Sequence, residues 1–208
     1  MKKVAISIHA RDDFNINILK GIQGFDFIHL DVMDGIFVRS KNLNLSTFKI
    51  LHEQCSKPII GHFMTINLIS YFKEVKDYLW CFTFHLEVIK EDPKYLIEFI
   101  KNQGIKVGIA LNPETPINKV KPFLELIDLV LILGVNPGWS GQRFIPSTIN
   151  KVNELFQYKK EHDFLIDIDG GVNLDVAKNL KNADILTSAS TILNSSDPNL
   201  IIKKFKNI

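Results

Sequence analysis

The stretch Ile28-His29-Leu30-Asp31-Val32-Met33-Asp34-Gly35 decides how the rest of the chain is read. It begins as a strand and ends in a turn. Strand alternation puts His29, Asp31 and Met33 on one face and Leu30 and Val32 on the other. A buried strand that carries an imidazole and a carboxylate two residues apart on one face must pair them with each other or with something they bind.

The surroundings are those of an ordinary globular chain. Its 208 residues allow one domain, residues 1–208, with a large core. Apolar residues make up 46% and charged residues 23%, and the net charge of +2 comes with no basic stripe, which argues against nucleic acid. Two cysteines, Cys55 and Cys81, make no disulfide framework. The opening Met1-Lys2-Lys3-Val4-Ala5-Ile6-Ser7 has too short an apolar run for a signal peptide, and no stretch approaches the roughly 18 apolar residues of a membrane span. The expectation is a cytoplasmic protein with no membrane partner.

Short apolar runs alternate with amphipathic segments. Strands are expected at 4–8, 25–32, 58–63, 80–86, 105–111, 129–133, 164–168 and 185–187. Helices are expected at 15–23, 46–54, 67–78, 93–101, 117–126, 146–161, 173–180 and 199–205. Asp92-Pro93, Asp197-Pro198 and Asn173 supply helix-start signals. Eight strand–helix units with apolar strands imply an α/β fold, a small single (β/α)₈ barrel. A doubly wound open sheet is the alternative, weakened by the lack of Gly-x-Gly-x-x-Gly after the first strand.

A barrel collects its chemistry at the carboxyl ends of its strands. There lie His29 and Asp31, then His62, then His85 and Glu87 facing alike, then Asp169. His29, Asp31, His62 and Asp169 come from three strands at matching depth. Two imidazoles with two carboxylates suit one divalent ion such as Zn²⁺, Fe²⁺, Mn²⁺ or Co²⁺. The turns bearing Gly138 and Gly141, and Gly170 and Gly171, with the small-residue turn after the eighth strand, allow backbone N–H groups to approach an anion. Metal and anion site together point to a small phosphorylated substrate.

The chain resembles the ribulose-phosphate 3-epimerase family over nearly its whole length. The likeness rests on Ser7-Ile8, His29-Leu30-Asp31-Val32-Met33-Asp34-Gly35, His62-Phe63-Met64, Thr83-Phe84-His85-Leu86-Glu87, Leu111-Asn112-Pro113, Val135-Asn136-Pro137-Gly138-Trp139-Ser140-Gly141-Gln142 and Asp169-Gly170-Gly171-Val172. The resemblance implies an isomerase that inverts C3 of D-ribulose 5-phosphate to give D-xylulose 5-phosphate. It implies that His29, Asp31, His62 and Asp169 hold the metal and that Asp31 and Asp169 are the acid–base pair. Ser7 and His62 would contact the substrate, and Met33 and Met64 would line the pocket. The turns with Gly138, Trp139, Ser140 and Gly141, with Gly170 and Gly171, and with Ala189 and Ser190 would hold the phosphate. Epimerisation next to a ketone needs a proton removed from one face of a cis-enediolate and returned to the other, so carboxylates on different strands suit it. A metal stabilises the developing charge. A homo-oligomer is expected from the resemblance.

The chain departs from the family pattern at Ile6, at His9 to Phe14, at Arg39 to Asn42, at Leu133, and at Ala189 and Thr191. The changes leave the four metal positions intact and bear on substrate identity. The rival readings are an epimerase of D-allulose 6-phosphate and a non-catalytic sugar-phosphate-binding relative. A Schiff-base lyase would need a lysine at a strand's carboxyl end, and Lys57 and Lys106 sit at strand starts.

Overall fold

A computed structural model describes every residue except Glu91 and Ser140. Its strands are β1 (Lys3–His9), β2 (Phe27–Asp34), β3 (Lys41–Asn42), β4 (Ile59–Met64), β5 (Cys81–His85), β6 (Lys106–Leu111), β7 (Leu129–Leu133), β8 (Leu165–Asp169) and β9 (Ile185–Ser188). All but β3 run parallel, each beside the next, and β1 pairs with both β9 and β2, so eight strands close into a barrel. The two-residue β3 pairs antiparallel with the end of β2. The α-helices are α1 (Ser46–Gln54), α2 (Leu68–Val75), α3 (Pro93–Lys101), α4 (Thr148–Tyr158), α5 (Leu174–Ala177), α6 (Ser190–Leu193) and α7 (Pro198–Lys206).

Alternation along the strands builds two cores. Outward side chains such as Ile6, Ile28, Leu30, Val32, Ile109, Val130 and Ile168 are buried under the helices, where they meet Phe48, Phe72, Ile97, Leu155 and Phe205. Inward side chains near the strand starts form a separate apolar plug of Ala5, Phe27, Ile60, Cys81, Ala110, Leu129, Leu131 and Ile185. Each fully buried Leu or Ile contributes about 1.5–3 kcal/mol of transfer free energy. Towards the strand ends the inward residues turn polar: Ser7, His29, Asp31, His62, His85 and Asp167 are all buried. Parallel register sets them side by side, Ser7 opposite His29, His9 opposite Asp31, and Asp31 opposite His62.

The expected helix starts are present. The side chains of Asp92, Asn173 and Asp197 accept from the first-turn N–H groups of α3, α5 and α7, and Pro93 and Pro198 occupy the first turn. Several expected helices are shorter. Residues 15–23 hold a single 3₁₀ turn, Ile16–Leu19, because Gly21 follows with a left-handed φ of 77°. Residues 117–126 hold two 3₁₀ turns, Ile117–Lys119 and Lys121–Phe123, because Pro122 has no N–H to continue an α-helix. The segments at 146–161 and 173–180 shrink to α4 and α5, and 67–78 divides into α2 and a 3₁₀ turn, Lys76–Tyr78. No periodic signal announced β3 or α6. No helix among the described residues is long and apolar enough to cross a membrane.

Candidate active site

Asp31 sits at the centre of the polar end of the barrel. Its Oδ1 lies 2.8 Å from His62 Nδ1 and 3.3 Å from His29 Nε2, and its Oδ2 accepts from the Ser7 hydroxyl at 3.0 Å. His29 Nε2 also faces Asp169 Oδ2 at 3.7 Å. One ligand atom from each of His29, Asp31, His62 and Asp169 lies within 4.8 Å of the other three. His29 is fully buried, yet neither of its ring nitrogens has a hydrogen-bond partner. A buried imidazole left without a partner is costly unless something else satisfies it. A divalent ion among two nitrogens and two carboxylate oxygens would take up Nε2, while Nδ1 faces Asp167 Oδ2 at 3.6 Å, and the donor set suits the ion.

The same arrangement pushes the two aspartates apart. Burial raises the Asp31 carboxyl, but the His29 and His62 imidazoles beside it prevail and hold it well below the usual carboxylate range. Burial also raises Asp169. His29 opposes that rise, the carboxylates of Asp31 and Asp167 reinforce it, and the result is a pKa of about 7. Burial alone would lower His29, but the carboxylates of Asp167 and Asp31 carry it well above the usual imidazole range. For His62 burial wins over Asp31, with His85 adding to it, and the pKa falls to about 4. The neighbouring groups thus hold the Asp31 carboxyl down and push the Asp169 carboxyl up.

These groups open into a cavity of about 260 Å³ at the carboxyl ends of the strands. Met33 and Met64, paired in register on β2 and β4, line it side by side and pack against Val38 and Phe37. The loop side of the cavity is backbone-rich. It carries Gly138, Trp139 and Gly141 from the loop after β7, Gly170 and Gly171 after β8, and Ala189 and Ser190 after β9. Gly171 has φ 68°, and a Cβ there would lie 2.8 Å from the Phe144 backbone nitrogen, so this turn needs glycine. The hydroxyls of Ser188 and Thr191 both donate to the Val172 carbonyl and tie the last two loops together. Trp139 is more than half exposed at the rim. The expectation for Ser140 lies outside the described residues.

Sequence reasoning named the four clustered residues and both loop sets, but gave no role to four others. His9, at the end of β1, lines the cavity, and its Nε2 is 3.7 Å from Asp31 Oδ2. Asn42 Nδ2, on β3, lies 3.5 Å from His9 Nδ1 and 3.7 Å from Met33 Sδ. Asp167 Oδ2 faces His29 Nδ1 at 3.6 Å, and His85 Nε2 meets His62 Nε2 at 2.9 Å. Alternation held the signal for three of them: His9 shares a face with Ser7, Asp167 with Asp169, and His85 opens the polar end of β5. Asn42 had none, because its strand is two residues long.

The model of the ribulose-phosphate 3 epimerase family matches residues 3–193. The chain belongs to that family. The ribulose-phosphate 3-epimerase of Methanocaldococcus jannaschii is 35% identical over 190 residues, spanning 88% of this chain and 79% of its own. That of Bacillus subtilis is 33% identical over 218 residues and spans 99% of both. The crystal structure of KGPDC from Streptococcus mutans superposes with a TM-score of 0.69, covering 100% of this chain and 96% of that one at 13% identity. A likeness at that identity speaks for the shared barrel alone. The clustered side chains Asp31, His62 and Asp169 and the glycine turns of this chain line one cavity.

Proposed function

We propose that this protein is a metal-dependent ketose-phosphate 3-epimerase that interconverts D-ribulose 5-phosphate and D-xylulose 5-phosphate. The observation that carries the reading is the pair Asp31 and Asp169, on different strands, around one cluster of ligating atoms in a chain of this family. His29, Asp31, His62 and Asp169 would hold one ion, Zn²⁺, Fe²⁺, Mn²⁺ or Co²⁺. When bound, the ion supplies positive charge against the negative charge that develops on the substrate oxygens.

The side chains do the rest. One of the two carboxylates takes the C3 proton from one face and the other returns a proton to the opposite face; the roles exchange in the reverse direction. Ser7 donates to Asp31 Oδ2 and holds that carboxylate in place. Met33 and Met64 close an apolar wall that excludes water while competing weakly for the ion. The phosphate rests on the backbone of the Gly138–Gly141, Gly170–Gly171 and Ala189–Ser190 turns. Residues 1–208 act as one domain, and the working form is a homo-oligomer.

The test is epimerisation of D-ribulose 5-phosphate and of D-allulose 6-phosphate by the purified protein after reconstitution with each of the four ions. The reading expects turnover with preference for the pentulose. A preference for the hexulose would transfer the specificity to the 39–42 and 189 loops. No turnover of either by the metal-loaded protein would overturn the enzymatic reading.

A further inference from the structure

Two buried side chains stand directly behind the imidazoles of the cluster. His62 turns Nδ1 to Asp31 and Nε2 to His85 Nε2, at 2.8 and 2.9 Å. His85 is itself fully buried, and its Nδ1 faces Glu87 Oε2 at 3.3 Å. Glu87 is held in turn: its Oε1 accepts from the Asn112 backbone N–H at 2.8 Å and from the Thr115 hydroxyl. Behind His29 the arrangement is reversed. Nε2 faces Asp31 and Asp169, and Nδ1 faces Asp167 Oδ2 at 3.6 Å, while the Thr187 hydroxyl holds Asp167 Oδ1 at 2.7 Å.

We infer that His85 and Asp167 are positioning residues that fix His62 and His29 in opposite tautomers, so that His62 offers Nδ1 and His29 offers Nε2 to the ion. The inference rests on the proposed metal site. An imidazole can ligate only through a nitrogen without a proton, and the partner on its other nitrogen decides which one that is. His62 ligating through Nδ1 carries its proton on Nε2 and needs an acceptor there. His85 accepts with Nε2 when its own proton sits on Nδ1, the nitrogen that faces the Glu87 carboxylate. Glu87, pinned by the Asn112 N–H and the Thr115 hydroxyl, therefore sets the direction of the whole chain. His29 ligating through Nε2 carries its proton on Nδ1, and the acceptor that faces it is the Asp167 carboxylate, 3.6 Å away. The two arms come from different strands, β5 and β8, so each can be cut without the other.

The first measurement is Zn²⁺ affinity by competition with a chromogenic chelator. In His85→Leu the acceptor is gone, and affinity falls about 10–100-fold. His85→Gln keeps an acceptor near the Nε2 position and recovers most of that loss. Asp167→Leu weakens binding by a similar factor. The second is the ¹⁵N imidazole spectrum of the Zn²⁺-loaded wild-type protein, which reads the tautomers without any variant. It should show the His62 proton on Nε2 and the His29 proton on Nδ1.

The result that overturns the inference is unchanged Zn²⁺ affinity in a folded His85→Leu, or a proton on His62 Nδ1 in the loaded protein. If His85→Leu does not fold, the spectrum of the wild type decides alone. A wild type that binds no Zn²⁺ overturns the metal site itself and this inference with it. A wild type that binds Zn²⁺ and loses it in His62→Ala, but not in His85→Leu, keeps the metal site and removes the positioning role.

Discussion

The two halves of the barrel interior are made from the same strands by the same alternation, and they do opposite things. Near the strand starts the inward side chains are Ala5, Phe27, Ile60, Cys81, Leu129, Leu131, Leu165 and Ile185, which pack together. Two or four residues further along the same strands stand Ser7, His29, Asp31, His62, His85, Asp167 and Asp169. The first set stabilises the fold by removing apolar surface from water. The second is buried nearly as deeply but costs stability, since carboxylates and imidazoles lose their hydration and His29 keeps both nitrogens unsatisfied. A closed barrel tolerates that because the apolar half anchors every strand close to its polar end. Stability and chemistry are thus divided along the strand axis.

Mutants can break this division. The largest effect is expected at Asp169→Asn, where a coupled assay should show epimerisation reduced by about 10²–10⁴-fold. The urea midpoint of the same variant should stay level or rise, because a buried carboxyl crowded by Asp31 and Asp167 is replaced by a neutral amide. A large fall in the midpoint would mean that the polar half carries the fold after all. Next comes the mirror experiment. Leu131→Ala, in the apolar half, should lose about 2–5 kcal/mol of unfolding free energy. Its Zn²⁺ affinity, read at a temperature where it is folded, should not change; a loss there would show that the two halves are mechanically coupled.

Gly171→Ala sharpens the picture of the cavity's backbone wall. The left-handed φ of 68° and the 2.8 Å approach to the Phe144 nitrogen should cost about 1–2 kcal/mol and displace the turn. KM for the phosphorylated substrate should rise more than kcat falls, and an unchanged KM would remove this turn from the phosphate site. The smallest effect is at Glu87. Burial raises its carboxyl, but His85, Thr115 and the Asn112 N–H prevail and bring the pKa to about 2 against an ordinary 4.5. A depressed carboxylate contributes stability that is fully present above pH 4.5 and is lost as the pH falls towards 2. In urea titrations the wild-type advantage over Glu87→Gln should therefore hold constant from pH 7 to 5 and shrink below 4.5. A constant gap down to pH 3 would show that Glu87 is not ionised against His85.

Much of this was legible in the residues. The eight strands stand within a residue or two of where the apolar runs put them, because a strand buried on both faces announces itself by continuous Val, Ile and Leu. The helices were legible where a cap marks the start, as at Asp92 and Asp197, and not where 3₁₀ turns replace them, as at Pro122. Those segments pack by a few side chains such as Ile117 and Leu124, and their hydrogen bonding follows local breakers more than periodicity.

The sequence by itself determined the barrel, the polar end, and the four residues His29, Asp31, His62 and Asp169. Period-two alternation and strand ends are local properties, and local properties are written in order along the chain. Only the tertiary structure decided which ring nitrogen of each histidine faces the cluster and that Asp167 and His85 stand behind them. It alone decided that the Asp31 carboxyl is held low by the imidazoles beside it while burial and neighbouring carboxylates push Asp169 up. These depend on distances of 3–4 Å between strands far apart in sequence, and on the loss of water around charges that barrel closure brings together.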